Sequence, residues 1–115
     1  QKNPFPVAVT VDPRIRERDY GYLEGETHKT QPEFNMRWQI DYDADRLKME
    51  SLDSLFSRVG SFMQFLKENY KGKNVLVVTH SGTIRAFRYL AGEGRDKTDL
   101  TDMGVDNSAC VTLPL

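Results

Sequence analysis

Cysteine, histidine and long apolar runs are all scarce in this chain. Cys110 is the single cysteine, so no internal disulfide can form, and a reducing, cytoplasmic setting is expected. The two histidines, His28 and His80, are too few for a His-rich metal cluster, and neither a metal nor a cofactor is expected. No apolar run approaches the ~20 residues that a membrane-spanning helix needs. No charge of one sign accumulates: 16 basic residues face 17 acidic ones, for a net charge of -1. Neither nucleic acid nor a membrane surface is therefore expected as a partner. The opening QKNPFP is polar and proline-rich, unlike a signal peptide. The chain starts on glutamine and stops on CVTLPL, which reads as a strand, so both ends are expected to be cuts in a longer protein.

What remains is an ordinary polar composition, 38% hydrophobic and 29% charged, in 115 residues. That length suits one domain, residues 1–115, with a modest core. PVAVTV, residues 6–11, is valine-rich and predicts a strand. RIRERDYGYLEGE fits neither a helical nor a strand period and predicts an ordered surface loop. A short helix is expected over 33–40, with Phe34, Trp38 and Ile40 as its inward residues. The strongest periodicity follows. Leu52, Leu55, Phe56, Val59, Phe62, Met63, Leu66 and Tyr70 make one helical stripe, with Ser51 as N-cap and Gly72 as the stop. NVLVVTH, residues 74–80, predicts a strand buried on both faces. A helix over 83–91 follows, with Ile84, Phe87 and Leu90 inward, then a polar loop and a last strand in SACVTLP. Strands alternating with helices predict an α/β domain, a three-layer sandwich around a mostly parallel sheet, incomplete at its N-terminus.

His80 is the first candidate for chemistry. It stands at the carboxyl end of an expected strand, where ligands of α/β sheets collect. The next turn, HSGT, opens a helix whose first N–H groups lack intrahelical partners. Gly82 lets a ligand approach that backbone closely. Two readings stand side by side: an imidazole that binds or transfers a phosphoryl group, or a strand-end histidine bonded to backbone. A serine-hydrolase elbow at Ser81 is excluded, because Thr79 and Thr83 occupy the positions that need glycine. A P-loop motif is absent. Glu17, between Arg16 and Arg18, is the second candidate. It is either solvated surface charge or, beside a bound phosphate dianion, an acid that protonates a leaving alkoxide.

Taken together, these segments resemble the histidine phosphatase superfamily, which includes the cofactor-dependent phosphoglycerate mutases. RIRERDYGYLEG is similar to the family's glutamate loop, ESLDSLFSRVGSFMQFL to its glutamate-serine helix, VLVVTHSGTIRAF to its second-histidine motif and DNSACVTLPL to its asparagine-led strand. The resemblance implies phosphoryl transfer through phosphohistidine. It implies Glu17 as proton donor, His80 as the second histidine, the Ser81 backbone N–H as a phosphate ligand, and Arg18 and Tyr20 on the substrate side. The substrate implied is a small phosphorylated molecule. The family's arginine-histidine-glycine motif, which carries the nucleophile, is not in this sequence. His28 follows neither a strand nor an arginine and is not a replacement. Ser81 stands where the family usually has glycine, as does Met49. The resemblance therefore implies the C-terminal portion of a phosphatase, completed by an N-terminal segment or by swapping with a second copy, and inactive alone. The short connection from Glu26 to Met49 favours a phosphatase over a mutase. A phosphoglycerate mutase and a non-catalytic phosphate-binding module remain the alternatives.

Overall fold

Ser51 starts the best-formed element of the computed structural model, which describes residues 7–25 and 36–115. Its hydroxyl accepts a hydrogen bond from the Ser54 N–H at 3.0 Å and so caps helix α1, Leu52–Asn69. Leu52, Leu55, Val59, Phe62, Met63 and Leu66 recur at three- and four-residue steps and are buried along one face. Past the helix end, Gly72 takes a φ of +77°, a left-handed turn that glycine adopts without strain. The expected start and stop of this helix are present, and the stripe holds from Leu52 to Leu66, but Phe56 is only half-buried and Tyr70, past the helix end, is exposed.

Helix α2, Ser81–Leu90, packs on α1. Ala86 and Phe87 face the core, and the Phe87 ring meets Phe62 edge-on at 6.0 Å. Phe56 and Tyr89 stack at 4.9 Å. The buried face is turned from the expected one. Thr83, Ala86 and Phe87 are buried, Ile84 is half-buried, and Leu90 is exposed. The small Ala86 lets the two helices come close, and the Thr83 hydroxyl is buried because it donates to the Arg16 carbonyl at 2.7 Å.

Trp38, Leu100 and Met103 close the core from the connecting segments. Residues 33–35 of the expected short helix, including Phe34, lie outside the described residues. Within the described part Trp38 is fully buried, but Ile40 is exposed. One antiparallel bridge, Gln39 with Asp99, ties this segment to the loop after α2 through Ile40 N–H to Thr98 O at 2.7 Å and Leu100 N–H to Trp38 O at 2.9 Å. Leu23, Ala44 and Met49 form a second, smaller cluster, so Met49 is a core residue here.

The sheet is the main correction. Among the described residues no strand forms, and the three-layer sandwich around a mostly parallel sheet is absent. Residues 7–11, 74–80 and 109–115 carry no ladder. Val9, Val11, Leu76 and Val78 are 80%, 89%, 82% and 80% exposed. The physical reason lies in the difference between the two kinds of element. A helix bonds its own backbone, whereas a strand needs another backbone beside it, and a valine-rich run encodes preference without encoding a partner.

Candidate functional site

Where the loop after residue 12 meets the start of α2, a cleft of about 260 Å³ opens. Glu17, His80, Ser81 and Ile84 line one side, and the turn 105–109 lines the other. Asp12 sets the loop's course. Its carboxylate caps the short turn Pro13–Ile15 by accepting the Arg14 N–H at 2.9 Å, and it pairs with the Arg14 guanidinium at 2.8 Å. The guanidinium holds the Asp12 carboxyl below its ordinary range. The Arg14 guanidinium also lies over the ring of Phe65, 5.0 Å from its centre, which fastens the loop to α1.

The loop delivers Glu17 to the N-terminus of α2. One carboxylate oxygen accepts the Gly82 N–H at 3.2 Å, and the other accepts the Arg18 N–H at 2.8 Å. The carboxylate thus occupies one of the open donors of the helix, where the helix dipole favours negative charge. A Cβ at position 82 would run into the Glu17 carboxylate and approach the Tyr20 hydroxyl, so glycine is required for this contact. His80 is the N-cap residue, in extended conformation. Its carbonyl accepts the Ile84 N–H at 2.9 Å, and its imidazole is exposed, with no hydrogen-bond partner among the described residues. That leaves the imidazole available to a ligand. Ser81 is the first residue of α2, so its N–H has no intrahelical acceptor. The Ser81 hydroxyl is engaged instead, donating to the Val105 carbonyl at 3.1 Å and accepting the Val105 N–H at 3.3 Å. This pair anchors the far wall of the cleft.

The structure therefore brings Glu17, His80 and Ser81 together. Arg18 goes elsewhere. It is 2% exposed and donates to the carbonyls of Glu50 at 2.9 Å and Arg37 at 2.7 Å, with its guanidinium 4.8 Å from the centre of the Trp38 ring. Burial lowers its pKa to about 10. Tyr20 stands between the two places. Its ring meets Trp38 edge-on at 6.4 Å, and its hydroxyl lies near Glu17 and Gly82. Burial, and then the negative charge of Glu17, push the phenol above its ordinary value. Arg85 is also buried, its guanidinium 4.3 Å from the centre of the Trp38 ring and donating to the Thr101 carbonyl at 3.1 Å. His28 lies outside the described residues.

Sequence reasoning missed the burial of Arg85 on α2 and the part that the turn 105–109 plays in lining the cleft. The composition DNS is a turn signal that was available. Ser108 there has a φ of +64°, which bends the chain around the cleft. Among the described residues, no group of three or more His, Cys, Asp or Glu is placed to hold a metal ion, and no helix is long and apolar enough to cross a membrane.

The family model of the histidine phosphatase superfamily (branch 1) matches residues 2–114. The chain belongs to that superfamily. This histidine phosphatase superfamily chain is 33% identical over 88 residues to Phosphoglycerate mutase-like protein 4 of Arabidopsis thaliana, a match covering 69% of the chain and 37% of that protein. It is 30% identical over 106 residues to Phosphoserine phosphatase 1 of Hydrogenobacter thermophilus, covering 88% of the chain and 50% of that protein. The chain thus spans half or less of the length of these two relatives. No solved structure matches it significantly.

Proposed function

We propose that this chain supplies the proton donor and the phosphate-polarising histidine of a phosphomonoesterase that works through phosphohistidine. The observation that carries the proposal is the meeting of Glu17 and His80 at the first turn of α2, with the Gly82 N–H in contact with the carboxylate. Membership of the superfamily supports the reaction class. In the first step a histidine nitrogen attacks phosphorus and the P–O ester bond breaks. Glu17 acts as the general acid that gives a proton to the leaving alkoxide. His80 and the Ser81 N–H hold phosphoryl oxygens whose charge redistributes in the transition state. In the second step water attacks the phosphohistidine, the P–N bond breaks, and Glu17 takes the proton from water. His80 is exposed, which lets water reach the intermediate and favours hydrolysis over transfer to a second hydroxyl.

The attacking histidine is neither His28 nor His80 in this reading. It comes from a complementing segment, whose docking would also cover the apolar residues exposed at 7–11 and 74–80. Tyr20 acts from the substrate side through its hydroxyl, whereas Arg18 supports the loop from the interior by holding the carbonyls of Glu50 and Arg37. Exposed Cys110 fits a reducing, cytoplasmic setting. The test is rapid acid and alkaline quenching of the protein as its gene encodes it, after mixing with a labelled phosphomonoester. Label that survives alkali and is lost in acid is expected, and His80→Ala should lower the rate of its formation. Turnover without any protein-bound phosphate would overturn the mechanism.

A further inference from the structure

Four consecutive backbone carbonyls lead up to the Glu17 carboxylate, and none of them is held by a ladder or a helix. Side chains hold them instead. Arg58 Nη1 donates to the carbonyls of Arg14 and Arg16, both at 2.8 Å, and Nη2 donates to that of Glu17 at 3.3 Å. Thr79 donates to the Ile15 carbonyl at 2.5 Å, and Thr83 adds a second bond to Arg16. Arg58 also forms a two-point pair with Glu50, from Nε at 2.8 Å and from Nη2 at 2.9 Å. A guanidinium has five N–H donors, and here all five are used.

Glu50 belongs to the same frame. Its N–H donates to the Asp19 carbonyl at 2.8 Å, just beyond the loop, and its carbonyl accepts Arg18 Nε. Its carboxylate also accepts the Ser54 hydroxyl at 3.0 Å. The loop from 14 to 19 is therefore bolted to rigid α1 through one arginine and its carboxylate. Surface ion pairs are weak, but this pair is nearly buried, two-pointed and shared with three backbone acceptors.

We propose that Arg58, held by Glu50, is a positioning residue that sets where the Glu17 carboxyl stands against the leaving oxygen. The inference rests on the reading of Glu17 as proton donor. A proton donor must lie within hydrogen-bond reach of the leaving oxygen, and a displacement of about 1 Å can cost about 10²-fold in rate. Lysine cannot replace Arg58 in full, because it has three donors for five acceptors.

The leaving group makes the test selective. An alkyl phosphate needs its leaving oxygen protonated, whereas p-nitrophenyl phosphate releases a stable phenolate and needs little help. Because Glu17 also serves the second step, which is common to all esters, kcat/KM, which reports only the steps up to phosphohistidine formation, is measured on both esters, in the protein as its gene encodes it, for Glu17→Gln, Arg58→Met, Arg58→Lys and the double variant Glu17→Gln/Arg58→Met. Glu17→Gln should lower kcat/KM on the alkyl ester by about 10²-fold or more and affect kcat/KM on p-nitrophenyl phosphate little. Arg58→Met should show the same selectivity in kcat/KM, Arg58→Lys should fall between it and the parent, and the double variant should be no slower than Glu17→Gln. Equal losses on both esters from Arg58→Met, or a further loss in the double variant, would reduce Arg58 to general support of the fold and overturn the proposal. If Glu17→Gln leaves the alkyl ester unaffected, the proton-donor reading falls, and this inference with it. Should Arg58→Met fail to fold, Glu50→Gln weakens the same frame without creating a gap. A loss confined to the alkyl ester supports the proposal, and an equal loss on both esters sinks it.

Discussion

The two helices and the three extended segments are both rich in apolar residues, yet they end in opposite conditions. Along α1, Leu55 and Val59 are fully buried. Along 7–11 and 74–80, Val9, Val11, Leu76 and Val78 stand in the open. The difference does not come from hydrophobicity. An amphipathic helix closes its own hydrogen bonds and then needs only one apolar surface to lie on. An extended segment has both its backbone and its side chains unfinished until a neighbour arrives. The candidate site lies at the seam between the two regions, where an irregular loop is pinned to the ends of regular helices.

Mutations can break or sharpen that comparison. The largest effect is expected in the helical core: Leu55→Ala removes a fully buried side chain and should cost about 2–5 kcal/mol, read as a lowered midpoint in chemical denaturation. Val78→Ala, in the extended region, should stay within about 0.5 kcal/mol. Equal costs at the two positions would show that 74–80 is packed after all. At the seam, Gly82→Ala should cost about 1–3 kcal/mol by forcing a methyl group against Glu17 and Tyr20, and should abolish a thermal shift by vanadate. Unchanged vanadate binding would separate the helix start from the site.

The smallest and most gradual effect concerns pH. Burial pushes the Glu50 carboxyl up, but the hydrogen bonds and charge of Arg58 and the Ser54 hydroxyl outweigh it and hold it below its ordinary value of 4.5. The folded-state value is therefore the lower one. The stabilisation is fully present above 4.5 and is lost as pH falls through the folded value. Thermal melts from about pH 6 down to pH 3 should show this loss in the parent chain and a shallower one in Arg58→Met. Identical slopes would show that the pair contributes nothing through protonation.

Much of the helical region was legible beforehand. The stripe from Leu52 to Leu66, the Ser51 cap and the turn at Gly72 all follow from local chemistry and spacing. The extent of α2 was nearly legible, but its buried face was not, because Thr83 is drawn inward by a carbonyl 67 residues away. In the site, motif order singled out Glu17 and His80, and both line the cleft. Arg18 adjoins Glu17 in sequence and points into the protein, a direction that neighbouring residues in an irregular loop do not reveal. Arg58 reads in the sequence as one more charged residue on a helix. Its five acceptors span residues 14 to 50, and no spacing rule relates them.

The sequence by itself determined the helix that carries the core, the turn that opens α2 and the residue types available for phosphate chemistry, since these depend on contacts within a few residues. Only the tertiary structure decided that the valine-rich segments form no strand among the described residues, that Glu17 rests on the Gly82 N–H, and that an arginine on α1 holds the loop in place. Those outcomes depend on groups distant in the chain meeting at about 3 Å, and hydrophobic pattern sets which faces are buried without setting which polar atoms meet.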